Sequence, residues 1–379
     1  ILVLPILDVH TLVELMSKVI HPQSNLLKQT DAYPKPHNVL LGYFKLFLSP
    51  TDVNKQYRIE NNEIRQITED FPMDGTIVVE IIGNYLSLFK DYVEKHIKEA
   101  EKANQLTFLY ILTVPAMWDA RAKELMTQAA IHGGLVKNNQ RQNMLMITEP
   151  EAAALSCEMS YKYHNKGATA NFIVCDAGGG TVDLVTFRLE KDDNENDVIF
   201  QLGDGEGDTC GSTYIDDEFK EYLVNFYRPV GLDMPNNSAD FNQPMKTFIN
   251  ELKPKFEPYD GNDSHVIVNL GRPIPSGYDK KGQVINGKRL KIRRKDMQEK
   301  IFDPTIDRVE ELIKTQIGKL EKGKIDVIIL VGGFSKNSYL RQRLTRTFLP
   351  IKIVIPDNAV TSISEGAVSY ALKPRMIIT

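Results

Sequence analysis

The stretch Asp176-Ala177-Gly178-Gly179-Gly180-Thr181-Val182-Asp183 constrains this chain more than any other. Apolar residues flank it, Phe172-Ile173-Val174 before and Leu184, Val185 and Phe187 after, so it reads as strand, tight glycine turn, strand. Three successive glycines open positive-φ conformations and let a ligand approach the backbone with no Cβ in the way. Consecutive amides in such a turn make a concavity for anions such as phosphate. An Asp at each end suits a Mg²⁺ ion that keeps several of its waters. The stretch is not a P-loop, because no Gly-Lys-Ser/Thr follows and the downstream segment reads as a strand. Taken alone, it is equally an acidic hairpin turn.

The 379 residues suffice for a large core, and the length suggests two or three domains. A net charge of −4 offers no global basic field, which argues against nucleic acid or an anionic membrane as a partner. Cys157, Cys175 and Cys210 lie far apart without metal spacing and read as reduced structural thiols of a cytoplasmic protein. No apolar run approaches the ~20 residues that span a bilayer. Ile1–Leu7 lacks the charged start and cleavage pattern of a signal peptide, and the first residue is not Met, so the chain reads as a fragment or a processed form.

Pro22, Pro34 and Pro36 break up residues 1–70. Lys45 stands inside the apolar run 37–48, where a snorkelling lysine is the ordinary reading. Asp74 is placed to cap a long helix to about Asn104, with Ile81, Tyr85, Phe89, Val93 and Ile97 at helical spacing. Strands are expected at 106–114 and 144–147, and helices from Asp119 to about Gly133 and from Glu149 to Ser160. The glycine hairpin spans 171–189, a third strand 198–202, and a second Gly/Asp-rich loop 203–211 opens a helix near 214–226. Residues 229–244 read as a linker, followed by a helix to about Phe256, a strand at 266–270 and an exposed loop over 271–287. An amphipathic helix is expected from Asp296 to about Lys322. Strand 325–331 runs into Gly332-Gly333 and a helix, and Asp357 is expected to cap a last helix. The fold class is therefore α/β: duplicated mixed sheets flanked by helices, with a cleft between two lobes, 1–168 and 169–379. Trp118 reads as core, His132 as a helix C-terminal residue, and Asp192, Asp193 and Glu195 as a solvated turn.

Four segments together resemble the nucleotide-binding domain of the heat-shock protein 70 (DnaK-type) chaperones, of the actin-like ATPase (ribonuclease H-like) fold. They are Thr113-Val114-Pro115-Ala116 with 129–135, Thr148-Glu149-Pro150-Glu151-Ala152-Ala153-Ala154, Asp176–Asp183, and Val331-Gly332-Gly333-Phe334-Ser335. They occur in the family's order, and the resemblance covers about 75–372. The family's first phosphate motif, Asp-x-Gly-Thr-Thr, is absent, and Leu7-Asp8-Val9-His10 does not replace it. Glu151 stands for the usual Thr and Phe334 for the usual Ser, and no peptide-binding domain follows Thr379. These departures look like a divergent branch of the family, with the N-terminus truncated or lost.

The resemblance implies site residues. Gly178, Gly179, Gly180 and Thr181 would hold the β- and γ-phosphates of ATP or ADP, and Asp176 would face Mg²⁺ or its waters. Glu149 would order the attacking water, and Lys45 would match the family's catalytic lysine. Gly211 and Ser212 would approach the nucleotide, or else form an ordinary helix-entry turn. Glu251 and Lys255 would reach ribose and adenine, or else form a plain i,i+4 ion pair. Gly332 and Gly333 would pack against adenine with Lys336 along its face, and Asp357 would lie near adenosine. The implied function is Mg-dependent ATP hydrolysis coupled to a chaperone-like conformational change in a cytoplasmic monomer, with protein clients or co-chaperones as partners. One alternative is a nucleotide-impaired pseudo-ATPase working as an interaction scaffold. Another is a sugar or acetate kinase of the same superfamily.

Overall fold

The computed structural model describes residues 2–4, 48, 75–102, 106–164, 169–192, 197–228, 239–262, 264–274, 282–320, 323–372 and 377–378. Lys45, the prolines of the first segment, Asp74, Asp193 and Glu195 lie outside them. The chain forms two compact units, Ile1–Tyr161 with Ser362–Ile378, and Lys162–Thr361.

In the first unit, β1 (Leu2–Leu4), β2 (Tyr110–Val114) and β3 (Met144–Thr148) form a parallel sheet in the order β1-β2-β3. Every residue of β2 is buried, as expected of a strand covered on both faces. Helix α1 (Gly75–Glu101) presents Val78, Ile82 and Leu86 to a core that includes Trp118. Helix α2 (Ala120–His132) crosses it closely, since a Cβ on Gly83 would stand 2.6 Å from the His132 ring and one on Gly133 2.6 Å from the Gly83 carbonyl oxygen. Asp119 caps α2 by accepting the Ala122 N–H at 2.7 Å. Gly134, at φ +68°, ends it, and the Leu135 N–H returns to the Ala130 carbonyl. Asp119→Ala should lower stability by about 1 kcal/mol; a urea midpoint that does not move would contradict this role.

Helix α3 (Glu149–His164) explains one departure from the family pattern. Thr148 donates its N–H and hydroxyl to the Glu151 carboxylate at 2.9 and 2.5 Å, and the Glu151 N–H points back to the Thr148 hydroxyl at 3.4 Å. This reciprocal pair is a capping box, so Glu151 starts the helix. The helix Ser362–Leu372, expected in the second lobe, belongs to the first unit. Its Gly366 sits so close to α3 that a Cβ would overlap the Ala152 carbonyl.

The second unit is built on a mixed sheet. Its strands are β4 (Ala170–Ala177), β5 (Val182–Lys191), β6 (Asp197–Gln201), β7 (Glu206–Asp208), β11 (Val327–Val331) and β12 (Lys352–Val354). They run in the order β12-β11-β4-β5-β6, with β7 also on β5. The β4–β5–β6 meander is antiparallel, and β11 and β12 run parallel to β4. Strand β7 lies inside the second Gly/Asp-rich stretch, where alternating glycines hid the strand pattern. A small antiparallel sheet in the order β8-β10-β9 joins β8 (His265–Asn269), β9 (Val284–Ile285) and β10 (Arg289–Arg293). Its cation-rich central strand carries no strand signature beyond Leu290 and Ile292.

Helices α4 (Ser212–Tyr227), α5 (Ala239–Thr247), α6 (Asp303–Gly318) and α7 (Ser338–Thr347) complete the unit. The segment expected to be a linker ends in α5, which contains Pro244. Residues 298–302 form a π turn entering α6, with Pro304 in its first turn, where a missing N–H is tolerated. The core stacks Phe219 on Phe248 and Phe256 on Phe302, with ring centroids 3.9 and 4.1 Å apart.

Candidate functional site

Parallel pairing sets Asp176 of β4 beside Val331 of β11, so both strands deliver their loops at the same end of the sheet. Gly332, at φ +81°, turns the second loop, and a Cβ there would stand 2.6 Å from the Asp176 carboxylate and overlap the Ala177 carbonyl. The Gly332 N–H donates to the Ala359 carbonyl at 2.9 Å, while its own carbonyl accepts the Ser335 hydroxyl at 2.7 Å. Asp176 and Asp183 face each other across the neck of the hairpin, both buried.

The glycine turn is stitched to α4. Its Gly178, Gly179 and Gly180 carbonyls accept the N–H groups of Ser212, Thr213 and Gly211 at 3.1, 3.0 and 3.2 Å. Thr213 adds its hydroxyl to Gly179 at 2.8 Å. Gly211 lets the two loops meet, because a Cβ on it would lie 2.5 Å from the Gly179 carbonyl carbon. The Gly178 N–H is spent on the Thr181 carbonyl at 3.0 Å. The N–H groups of Gly179 and Gly180 have no hydrogen-bond partner among the described residues, and Gly180 faces open space. Of the expected donors, these two remain for an anion, whereas the amides of Gly178, Gly211 and Ser212 build the turn. Cations in and just after α6 fix the approach to this loop: Arg308 grips Asp208 through two nitrogens at 3.1 and 2.8 Å, and Lys319, the residue after the helix, pairs with Glu206 at 2.5 Å.

Glu251 and Lys255 are both exposed and make no ion pair with each other among the described residues. Residues 248–252 form a π turn, and 253–255 a turn in which the Lys255 N–H donates to the Leu252 carbonyl at 3.3 Å. The residue between them, Lys253, turns inward. Its ammonium donates to the Asp216 carboxylate at 2.7 Å and to the Ser212 carbonyl at 3.2 Å. Its own carbonyl accepts the Asn337 side-chain amide at 2.6 Å. Asn337 also caps α7 by accepting the Leu340 N–H at 2.8 Å. Lys253 thus ties the first turn of α4 to the loop after β11. The irregular turn conceals this in the sequence, where spacing favoured the pair four residues apart.

Gly333 and Lys336 are exposed, and nothing lies within 4 Å of a Cβ on Gly333. Phe334 fills the core, which accounts for a bulky residue where the family has Ser. Asp357 is exposed in the turn 357–361 and caps no helix, because the last helix begins at Ser362. Glu149 is buried at the first residue of α3, in the first unit.

All three cysteines are free and buried. Burial, then the Asp176 carboxylate, pushes the Cys175 thiol far up, and burial, then Asp208, raises that of Cys210. Both stay protonated and inert, as packing thiols should.

The donor set suits a phosphate with a hydrated cation. The Gly179 and Gly180 amides are uncommitted among the described residues, in the turn that follows the Asp176 strand end, and a Cβ on Gly180 would meet nothing within 4 Å. Among the described residues no group of three His, Cys, Asp or Glu side chains is placed to hold a metal. A cation here would therefore depend on phosphate oxygens and water besides Asp176. No helix among the described residues is long and apolar enough to cross a membrane.

The chain is similar to Heat shock 70 kDa protein 12A of Homo sapiens and of Mus musculus, at 22% identity over 87% of this chain and 60% of each relative. It is also similar to Heat shock 70 kDa protein 12B of Homo sapiens, at 20% identity over 79% of the chain and 53% of the relative. The chain thus spans little more than half the length of these relatives. The Hsp70 protein family matches residues 54–370, which contain every loop described above. That match implies a nucleotide-binding domain of the actin-like ATPase fold, usually with Mg²⁺, and the mixed α/β sheets agree with it. The chain belongs to the Hsp70 protein family.

Proposed function

We propose that this chain binds ATP and ADP with Mg²⁺ and hydrolyses ATP, coupling the step to a chaperone-like change of conformation. The observation that carries the reading is the meeting of Asp176 with Gly332, which puts the phosphate-type turn and the adenosine-type turn at one end of one sheet. Phosphoryl transfer to water depends on positioning and charge stabilisation. The Gly179 and Gly180 amides and the Thr181 hydroxyl would hold phosphate oxygens. Asp176 would orient the waters of the metal, whose charge neutralises the phosphates when bound. Gly333 and Lys336 offer an open face for the base. Glu149 and Lys45 enter by the resemblance alone, as the group ordering the attacking water and the cation beside the γ-phosphate. The two-lobed cleft, the protein clients and co-chaperones, the monomeric state and a cytoplasmic location belong to the same proposal.

A second reading is a nucleotide-impaired scaffold. It draws support from the Gly178 amide, whose bond to Thr181 removes one of the three glycine donors. Calorimetric titration with Mg-ATP and Mg-ADP separates the two. Heat and a thermal shift support nucleotide binding, and their absence leaves the scaffold. Asp176→Asn should abolish phosphate release at an unchanged melting temperature, and retained turnover would refute the role of Asp176.

A further inference from the structure

The run Lys288-Arg289-Leu290-Lys291-Ile292-Arg293-Arg294-Lys295 holds six cations and no acid, in a chain of net charge −4. Strand β10 sorts it into two faces. Leu290 and Ile292 are buried, and Arg289, Lys291 and Arg293 project from the other side. Register pairs them with Asn269, Ile267 and His265 of β8, so Ile267, 40% exposed, stands beside Lys291 in the middle of the row. Arg293 is paired with Asp296 at 2.6 Å, whereas Arg289 and Lys291 make no ion pair among the described residues.

Guarding a sheet edge is the ordinary use of exposed strand cations. That use is confined to the β9 side past Leu290, because β8 pairs all five residues of β10 while β9 pairs Arg289 and Leu290. Like charges at alternate positions of one strand repel, and Lys is depleted in strands, so the row costs stability where it stands. Arg289 and Lys291, without ion-pair partners among the described residues and flanking the exposed Ile267, offer an acidic partner charge complementarity and some apolar burial.

We propose that the outer face of β8 and β10 docks an acidic polypeptide segment of another protein. Its carboxylates would engage Arg289 and Lys291 while an apolar side chain covers Ile267. The cations repeat at roughly 6.8 Å, twice the rise of an antiparallel strand. Carboxylates at alternate strand positions match that spacing, and carboxylates about 6 Å apart on one helix face come close to it. A polypeptide is favoured over nucleic acid or a bilayer by range. Fields are screened within about 8 Å at physiological salt, so a short segment senses this patch alone, whereas a duplex or membrane also meets the acidic remainder of the chain. The proposal does not depend on nucleotide binding.

The test uses the full chain and a fluorescent peptide of alternating Glu and Ser around one central Leu. Anisotropy should show saturable binding that weakens as salt rises. The double variant Arg289→Glu, Lys291→Glu should weaken it at least about tenfold, a loss typical of reversing complementary charges. Ile267→Ser, with every charge kept, should weaken it several-fold, and it serves alone if the double variant does not fold. Equal binding by these variants, or no binding by the native chain, overturns the proposal. So does tighter binding to duplex DNA or phosphatidylserine vesicles. Self-association in sedimentation, lost in the double variant, would give the face to a second copy and overturn it too.

Discussion

Gly332→Ala is expected to lower stability by about 3–5 kcal/mol. Two costs add. The backbone at φ +81°, ψ 172° belongs to a region that is essentially glycine's own, worth about 1–3 kcal/mol to any other residue. The new methyl would overlap the Ala177 carbonyl and stand 2.6 Å from the Asp176 carboxylate, and overpacking of this kind costs about 1–3 kcal/mol. Neither neighbour yields readily: Ala177 is backbone in a central strand, and Asp176 is buried beside it. The melting temperature should fall by about 10 °C, given roughly 2–4 °C per kcal/mol for a unit of this size. Any nucleotide affinity should fall with it. The neighbouring Gly333→Ala is the internal control, since its methyl would enter open space. If the two variants melt together, the account of Gly332 is wrong.

Lys253→Met should cost about 3 kcal/mol, because it removes the ammonium that is paired with a buried carboxylate. The side chains of Lys253 and Asp216 are only 12% and 9% exposed, and breaking such a pair from one side is far costlier than replacing both members. Asp216→Leu combined with Lys253→Met should therefore recover much of the loss. A double-mutant cycle in urea would show that coupling, and additive effects would contradict it. Nucleotide titration adds a second readout. Lys253 joins the first turn of α4 to the loop after β11, so its loss should weaken Mg-ADP binding by more than Lys255→Met does.

Elements with strong periodicity or strong punctuation were legible in the sequence. Asp119 announced α2, the apolar run at 325–331 announced β11 (Val327–Val331), and the glycine hairpin fell within a residue or two of its place. What escaped was local geometry that overrides spacing. The π turn at 248–252 rotates the chain so that Lys253, rather than Glu251 or Lys255, reaches inward. Strand β10 hid behind its charges, since burial of Leu290 and Ile292 is enough to hold a strand whose other face is cationic. An acid just before a helix suggests a cap at Asp357, but the turn at 357–361 delays the helix to Ser362. The candidate phosphate donors were recognised as a group, while their division into committed and available amides follows from hydrogen bonds that residue identity does not encode.

The three carbonyls of the glycine turn that rest on the first amides of α4 have a mechanical consequence. These bonds tie turn and helix into one lever, with the Gly179 and Gly180 amides at its short end and Tyr227 at its far end, about 24 Å away for sixteen residues of helix. A probe on an exposed residue such as Glu221 would read any tilt at the turn, amplified by the length of the arm.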